Sequence, residues 1–347
     1  MQNRIGMKDL SSQLSKTHIK LNLRFLNELL NKASKSNSPH RSEEFAERVG
    51  CPINKIKKSS LTIYGWSKGY RTVPLSKLIK IINLSNYYWQ DIEKNLISIK
   101  AGIRNGEIYP KFPLLINEKL GSIVGHILGD GSIDKRFHSV FYSNSDIALL
   151  REFRLNMKSF FGIEPRIWVQ EKKAFNEKTR WMKKVSNLNE VPKNHSVGLF
   201  YPKICSDILY SICGKFAEGK NKEITEEIKD KDRNFKIGLI RAFYDDECSI
   251  NSKNYTLRLH QDRKDILEDI RQILKIFDID SNVVRLYNKR GKLRYYFNIN
   301  GFRNYHNFFK IIGCTSPKKR REFRLLINKV KNSKQFKKKY SLRLPTT

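Results

Sequence analysis

The sequence predicts an α+β protein: two pseudo-symmetric α-ββ-α-ββ-α halves preceded by a small all-α domain. Three observations carry this prediction. Apolar spacing switches between the helical period and strict alternation in a fixed order. That order occurs twice, with key positions 117 residues apart. Ahead of the first copy, the spacing is helical and is broken only by turn residues.

The elements begin with residues 1–37, which read as helix with a basic face. Polar residues around Pro39 interrupt them. Ser42 is a good N-cap for the segment EEFAERVG, and Gly50 is a fitting end. Pro74 stands where a further helix starts, with Leu75, Leu78, Ile79 and Ile82 at helical spacing. Within 42–86, the stretch Thr62-Ile63-Tyr64-Gly65-Trp66-Ser67-Lys68-Gly69 loosely resembles the recognition helix of a helix-turn-helix module. That resemblance implies a second DNA contact. Gly102, Gly106, Pro110 and Pro113 mark a linker. The expected organisation is a helical, helix-turn-helix-like domain at 1–99, a linker at 100–116, halves at 117–230 and 231–330, and a basic tail at 331–347.

The repeat opens with LGSIVGHILGDGSI (120–133) and IGLIRAFYDDECSI (237–250), each a helix running into a strand. Strand pairs follow at 131–144 and 248–261, then helices at 146–163 and 262–279. These helices carry Leu150, Phe153, Met157 and Phe160 in one copy, and Ile266, Ile270, Ile273 and Phe277 in the other. Two more strands follow in each copy, 165–172 with 195–201 and 281–288 with 293–300. Closing helices lie at 203–213 and 302–312.

Charge narrows the partner. Lys and Arg number 68 against 34 acids, a net +34, which attracts a polyanion. No apolar run approaches the 18 or so residues a spanning helix needs, and no lipidation motif is present, so the expectation is nucleic acid and no membrane. Five cysteines without a Cys-x-x-Cys argue against a disulfide framework or a zinc knuckle. With no apolar stretch near the N-terminus, the expected location is the cytoplasm or an organellar matrix rather than outside the cell.

The chemistry centres on the two repeated helix ends. Gly125 and Gly129 share one helical face, and Ala242 is the matching small residue in the second copy. Glycine inside a helix costs about 1 kcal/mol relative to alanine, a cost explained where two backbones must approach. Helices packed through these residues would bring Asp130 and Glu247 together. Each acid lies at the negative end of a helix dipole and near a like charge, and a divalent cation relieves both penalties. Mg²⁺ suits carboxylate oxygens, with Mn²⁺ as its substitute, and such a metal can activate water on a phosphodiester. Asp245 and Asp246 are expected to be capping or surface residues, and His126 to pack at the helix surface.

At these residues the chain resembles the LAGLIDADG homing endonuclease family, in its monomeric two-motif form. The copies are Ile123 to Gly131 and Ile240 to Cys248, with Asp130 and Glu247 at the family's metal-binding position. Cys248 replaces the motif's final glycine. The resemblance covers about 116–330 and implies a monomer with an internal pseudo-two-fold axis. The activity it implies is site-specific, metal-dependent cleavage of double-stranded DNA. It also implies lysines and strand-end polar residues around the attacking water: Lys222 and Lys319, with Ser145 and Gln261 aligned at the polar position.

The same resemblance lays the strands on DNA. Alternation puts Arg166, Trp168 and Gln170 on one face in the first half. In the second half, Arg285 and Tyr287, with Arg294, Tyr296 and Asn298, form the corresponding rows. Such side chains suit phosphates and base edges. Two other functions use this fold: a non-catalytic DNA-binding regulator, and an RNA maturase, for which RNA would be the partner.

Overall fold

The computed structural model describes residues 3–14, 16–39, 42–51, 56–102, 106–170, 181–191, 195–251, 255–289 and 291–332. The basic tail beyond Asn332 lies outside the described residues. No helix among those described is long and apolar enough to cross a membrane.

The N-terminal region departs from the all-α expectation. Residues 17–21, expected within a long helix, form a strand, and the helix begins only at Leu23–Ser34. The reason is legible afterwards. Thr17, Ile19 and Leu21 are buried while His18 and Lys20 are not, an alternation of period two. Asn22 then accepts the N–H groups of Arg24 and Phe25 and starts the helix. The strand pairs antiparallel with Leu96–Ala101, with a register shift between Lys20 and Leu21, and belongs to a four-stranded sheet with Val73–Pro74 and Glu107–Ile108.

The stretch expected as a linker is also structured. Glu107–Ile108 extends that sheet, Leu114–Leu115 pairs with Arg4–Ile5, and Tyr109 N–H bonds to Phe161 C=O at 2.9 Å. Ser42 caps Glu43–Arg48, and Pro74 precedes the helix Leu75–Ser85, as the residue signals indicate. The helix Ile56–Ser67 ends before Gly69, and Ile63 and Trp66 are buried under it. Residues 52–55, part of the proposed helix-turn-helix stretch, lie outside the described residues.

Both halves show the repeated order. In the first, an antiparallel sheet runs Gly131–Ile133, Val140–Asn144, Val197–Tyr201, Arg166–Gln170, with Trp181–Val185 as an additional edge strand. In the second, the sheet runs Cys248–Asn251, Thr256–Gln261, Lys292–Ile299, Arg285–Lys289. The registers correspond: Ser132 pairs with Phe141 as Ser249 pairs with Arg258. Each sheet buries alternate residues, Ile167, Val169, Val197 and Leu199 in one, Leu257, Leu259, Phe297 and Ile299 in the other. The helices Ile147–Phe161 and Lys264–Lys275 bury their periodic apolar faces, and each fully buried Leu, Ile or Phe contributes about 1.5–3 kcal/mol. Two motif helices, Glu118–Leu128 and Arg233–Glu247, stand between the halves and pack on each other along their length.

Candidate functional site

Backbone contact sets the geometry of the motif helices. A Cβ added to Gly121 would lie 1.9 Å from Phe235 O, and one on Gly238 would lie 1.9 Å from Glu118 O. The next turn repeats the arrangement, with Gly125 facing Leu239 O and the Ala242 methyl. Gly121 and Gly238, like Gly125 and Ala242, are 117 residues apart. Gly125 and Ala242 thus meet across the two helices, whereas Gly121 and Gly238, the closest approach of all, were missed. Their common offset was the signal. Gly129 serves otherwise: a Cβ there would meet the Asp246 carboxylate at 2.6 Å.

The helix ends differ. The first helix stops at Leu128, so Asp130 lies just beyond it, whereas the second continues through Glu247. This difference accounts for Cys248. At Gly131 an added Cβ would sit 2.7 Å from Ile127 Cα, but Cys248 follows the longer helix with extended backbone at φ −93° and ψ 145°. A side chain fits there without strain.

Both acids are pushed out of the usual carboxylate range. Burial, followed by the charges of Asp246 and Glu247, lifts Asp130 to about 8. Burial, followed by Asp246, lifts Glu247 to about 7, against the pull of Lys222, Arg294 and Gln261. Each carboxylate takes an amide hydrogen bond from the end of its own half's second strand. Asn144 donates to Asp130 Oδ2 at 3.0 Å, and Gln261 donates to Glu247 Oε1 at 3.1 Å. Asn144, not the aligned Ser145, is therefore the counterpart of Gln261, again 117 residues away.

Lys222 and Lys319 lie beside the acids but are anchored to helix ends. Lys222 Nζ donates to the carbonyls of Leu128 and Gly129, and Lys319 Nζ to those of Tyr244 and Asp245. Both neutralise the negative helix termini from which the acids project. Burial lowers the Lys222 ammonium, while Glu247 and Asp130 oppose that shift.

Asp246 is the largest correction to the sequence expectation. Its side chain is fully buried, and it joins the halves. It accepts from Tyr142 Oη at 2.9 Å, from Asn144 Nδ2 at 3.3 Å and from the Asp130 N–H at 3.3 Å. His126 Nδ1 lies 3.0 Å from it, and Glu152 faces the other ring nitrogen at 3.7 Å. His126 is therefore buried, not at the helix surface. Burial alone would lower it, but Asp246 and then Glu152 hold it up at about 10. For Glu152, burial is outweighed by His126, and the carboxyl falls to about 2. Asp245 is buried as well and caps the segment before the last helix, accepting the N–H groups of Thr315 and Ser316.

The predicted sheet rows fall on exposed faces. Arg166 is exposed, and Trp168 and Gln170 are half-buried, opposite buried Ile167 and Val169. In the second half, Arg285, Tyr287, Tyr296 and Asn298 share a face with three residues that sequence reasoning missed: Ser249, Arg258 and His260. These are knitted together. Arg258 donates to Asn298 at 2.9 Å and stacks over Tyr296, and His260 contacts Ser249 and Tyr287. Arg294 is turned to the acids instead. It pairs with Asp262 at 2.6 Å and lies 3.7 Å from Glu247.

Residues 234–313 match the family model described as a LAGLIDADG-like domain. A curated relative, the DNA-directed RNA polymerase subunit Rpo1C of Methanocaldococcus jannaschii, is 24% identical over 305 residues, which is 86% of this chain. The chain spans 31% of the length of that relative. Among solved structures, I-DmoI in complex with DNA and Mn is 15% identical, with a TM-score of 0.38, over 57% of this chain and 97% of that one. Full-length DUF199/WhiA from Thermatoga maritima is 14% identical, with a TM-score of 0.38, over 65% of each chain.

Proposed function

We propose that this chain, with its LAGLIDADG-like domain at 234–313, is a divalent-metal-dependent endonuclease acting on double-stranded DNA. One observation carries the reading. A carboxylate stands at the end of the second motif helix and just past the end of the first, each held by an amide from the same half and flanked by a lysine, so that a complete set of groups is present twice.

The donor set fits Mg²⁺ or Mn²⁺. Among the described residues, no group of three His, Cys, Asp or Glu side chains is gathered so as to cage an ion. Mg²⁺ needs no cage, because it is commonly held by one or two carboxylates together with waters and phosphate oxygens. Asp130 and Glu247 supply those carboxylates, and burial together with the neighbouring Asp246 charge raises the proton affinity of both. When bound, the metal would supply Lewis acidity at a phosphate oxygen and a more acidic water. The protein's own contribution is positional. Asn144 and Gln261 fix one oxygen of each acid. Lys222 and Lys319 bring cationic charge toward the phosphate, and the glycine contact fixes the spacing of the two ends. The basic surface supplies sequence-independent attraction.

The test is cleavage of a plasmid library carrying randomised inserts, in Mg²⁺, by the wild type and by Asp130→Asn and Glu247→Gln. Linear product is expected with the wild type, with none from either variant and DNA binding retained. Folded protein that binds DNA yet leaves every insert intact would sink the nuclease reading and favour a regulator.

A pH dependence follows. Asp130 and Glu247 rise from ordinary values of 3.8 and 4.5 to about 8 and about 7 on folding. The metal-free fold therefore binds more protons than the unfolded chain. This contribution to stability is full below pH 4 or so and is lost as pH rises through 7 and 8. A divalent cation replaces those protons, so the Tm gain on adding Mg²⁺ should be larger at about pH 8.5 than at about pH 6. Equal gains at the two pH values, or an undiminished gain in the Asp130→Asn, Glu247→Gln double variant, would contradict the assignment.

A further inference from the structure

The two sheets share one register but present different chemistry at the same place. In the second half the cross-strand pair is Arg258 with Asn298, hydrogen-bonded at 2.9 Å. In the first half the matching pair is Phe141 with Phe200, ring centroids 4.7 Å apart. Arg258 and Phe141 are 117 residues apart, so this is one position with two chemistries. Around the phenylalanines lies a hollow of about 620 Å³, with Phe137 and Trp168 in its walls and Arg166 and Lys203 among its polar lining residues. Asp134 also lines it, but its carboxylate is occupied in its own hairpin, accepting from the N–H groups of Arg136 and Phe137.

An aromatic floor cannot read the donor and acceptor pattern of a base edge. It can take the thymine C5-methyl, the one apolar group the major groove displays. Arginine and asparagine, in contrast, match guanine and adenine edges. We infer that the two halves read their half-sites by different means: the first sheet selects thymine methyls through Phe141 and Phe200, and the second selects purine edges through Arg258 and Asn298. The occupant of the first hollow is then a thymine edge displayed in the major groove of duplex DNA, which the net charge of +34 attracts. This inference rests on the DNA reading above but not on the chemistry of cleavage.

The test uses binding alone. The full-length Asp130→Asn, Glu247→Gln variant selects duplexes from a randomised library in Mg²⁺ at fixed salt. The expected consensus is asymmetric, thymine-rich in one half-site and purine-specified in the other. Replacing thymine by deoxyuridine removes only the methyl group, and each replacement in the thymine-rich half-site should weaken binding about fourfold. The same replacement in the other half-site should have little effect. Adding Phe141→Arg with Phe200→Asn should abolish the uracil sensitivity and move the selected bases toward those of the second half-site. Indifference to uracil in both half-sites, or one pattern in both, overturns the inference while leaving DNA binding intact. Equal competition by single-stranded oligonucleotides also overturns it, because the rings would then be stacking unpaired bases. Failure to select any duplex overturns the DNA reading itself.

Discussion

Gly121→Ala should destabilise the protein by about 3 kcal/mol or more, above the ordinary range for overpacking. The added methyl carbon would sit 1.9 Å from Phe235 O, and its neighbour there is backbone, which cannot swing away as a side chain can. Gly238→Ala should match it, since its methyl would meet Glu118 O at the same distance. For a chain of 347 residues, such a loss lowers Tm by roughly 4 °C. Gly291→Ala is the control. It has φ +79° and nothing within 4 Å, so only backbone strain of about 1 kcal/mol is expected. Thermal melts followed by circular dichroism decide the matter. If Gly121→Ala melts with Gly291→Ala, the helices do not meet as described. Where the alanine variants remain folded, the helix ends must have parted, so metal binding should weaken with stability.

Asp246→Asn is the second large effect. It removes the charge opposite His126 inside the protein while keeping the shape. Breaking a buried ion pair from one side costs about 3–5 kcal/mol, and His126 would lose its nearer partner and keep only Glu152 at 3.7 Å. The pH dependence fixes the sign. In the wild type, His126 rises from 6.5 to about 10 on folding. Its contribution is complete below about 6.5 and disappears as pH climbs through 10. The variant should lose most of that slope, and the His126 ring should titrate at lower pH by NMR. Asp130 should also become more acidic, since Asp246 is the largest nearby charge raising it. A wild-type His126 that titrates near 6.5 would show that the pair does not carry charge.

The carboxylate pair was legible because duplication places Asp130 and Glu247 at the same point of two copies. The same offset would have revealed Gly121 with Gly238 and Asn144 with Gln261, had it been applied to every position. Other features could not be found that way. Asp246 and His126 are asymmetric: their counterparts, 117 residues away, are Gly129 and Phe243. A repeat says nothing about residues that differ between its copies.

The sequence by itself determined the repeated order of elements and the equivalent places of Asp130 and Glu247 in it, since these follow from periodicity and repetition along the chain. Tertiary structure decided the rest. It turned Thr17–Leu21 into a strand, because a five-residue alternation becomes a strand only when a partner such as Leu96–Ala101 completes its hydrogen bonds. It buried Asp246 against His126, because the identity of a charge's neighbours is set by how two helices face each other. Spacing along either helix alone does not contain that information.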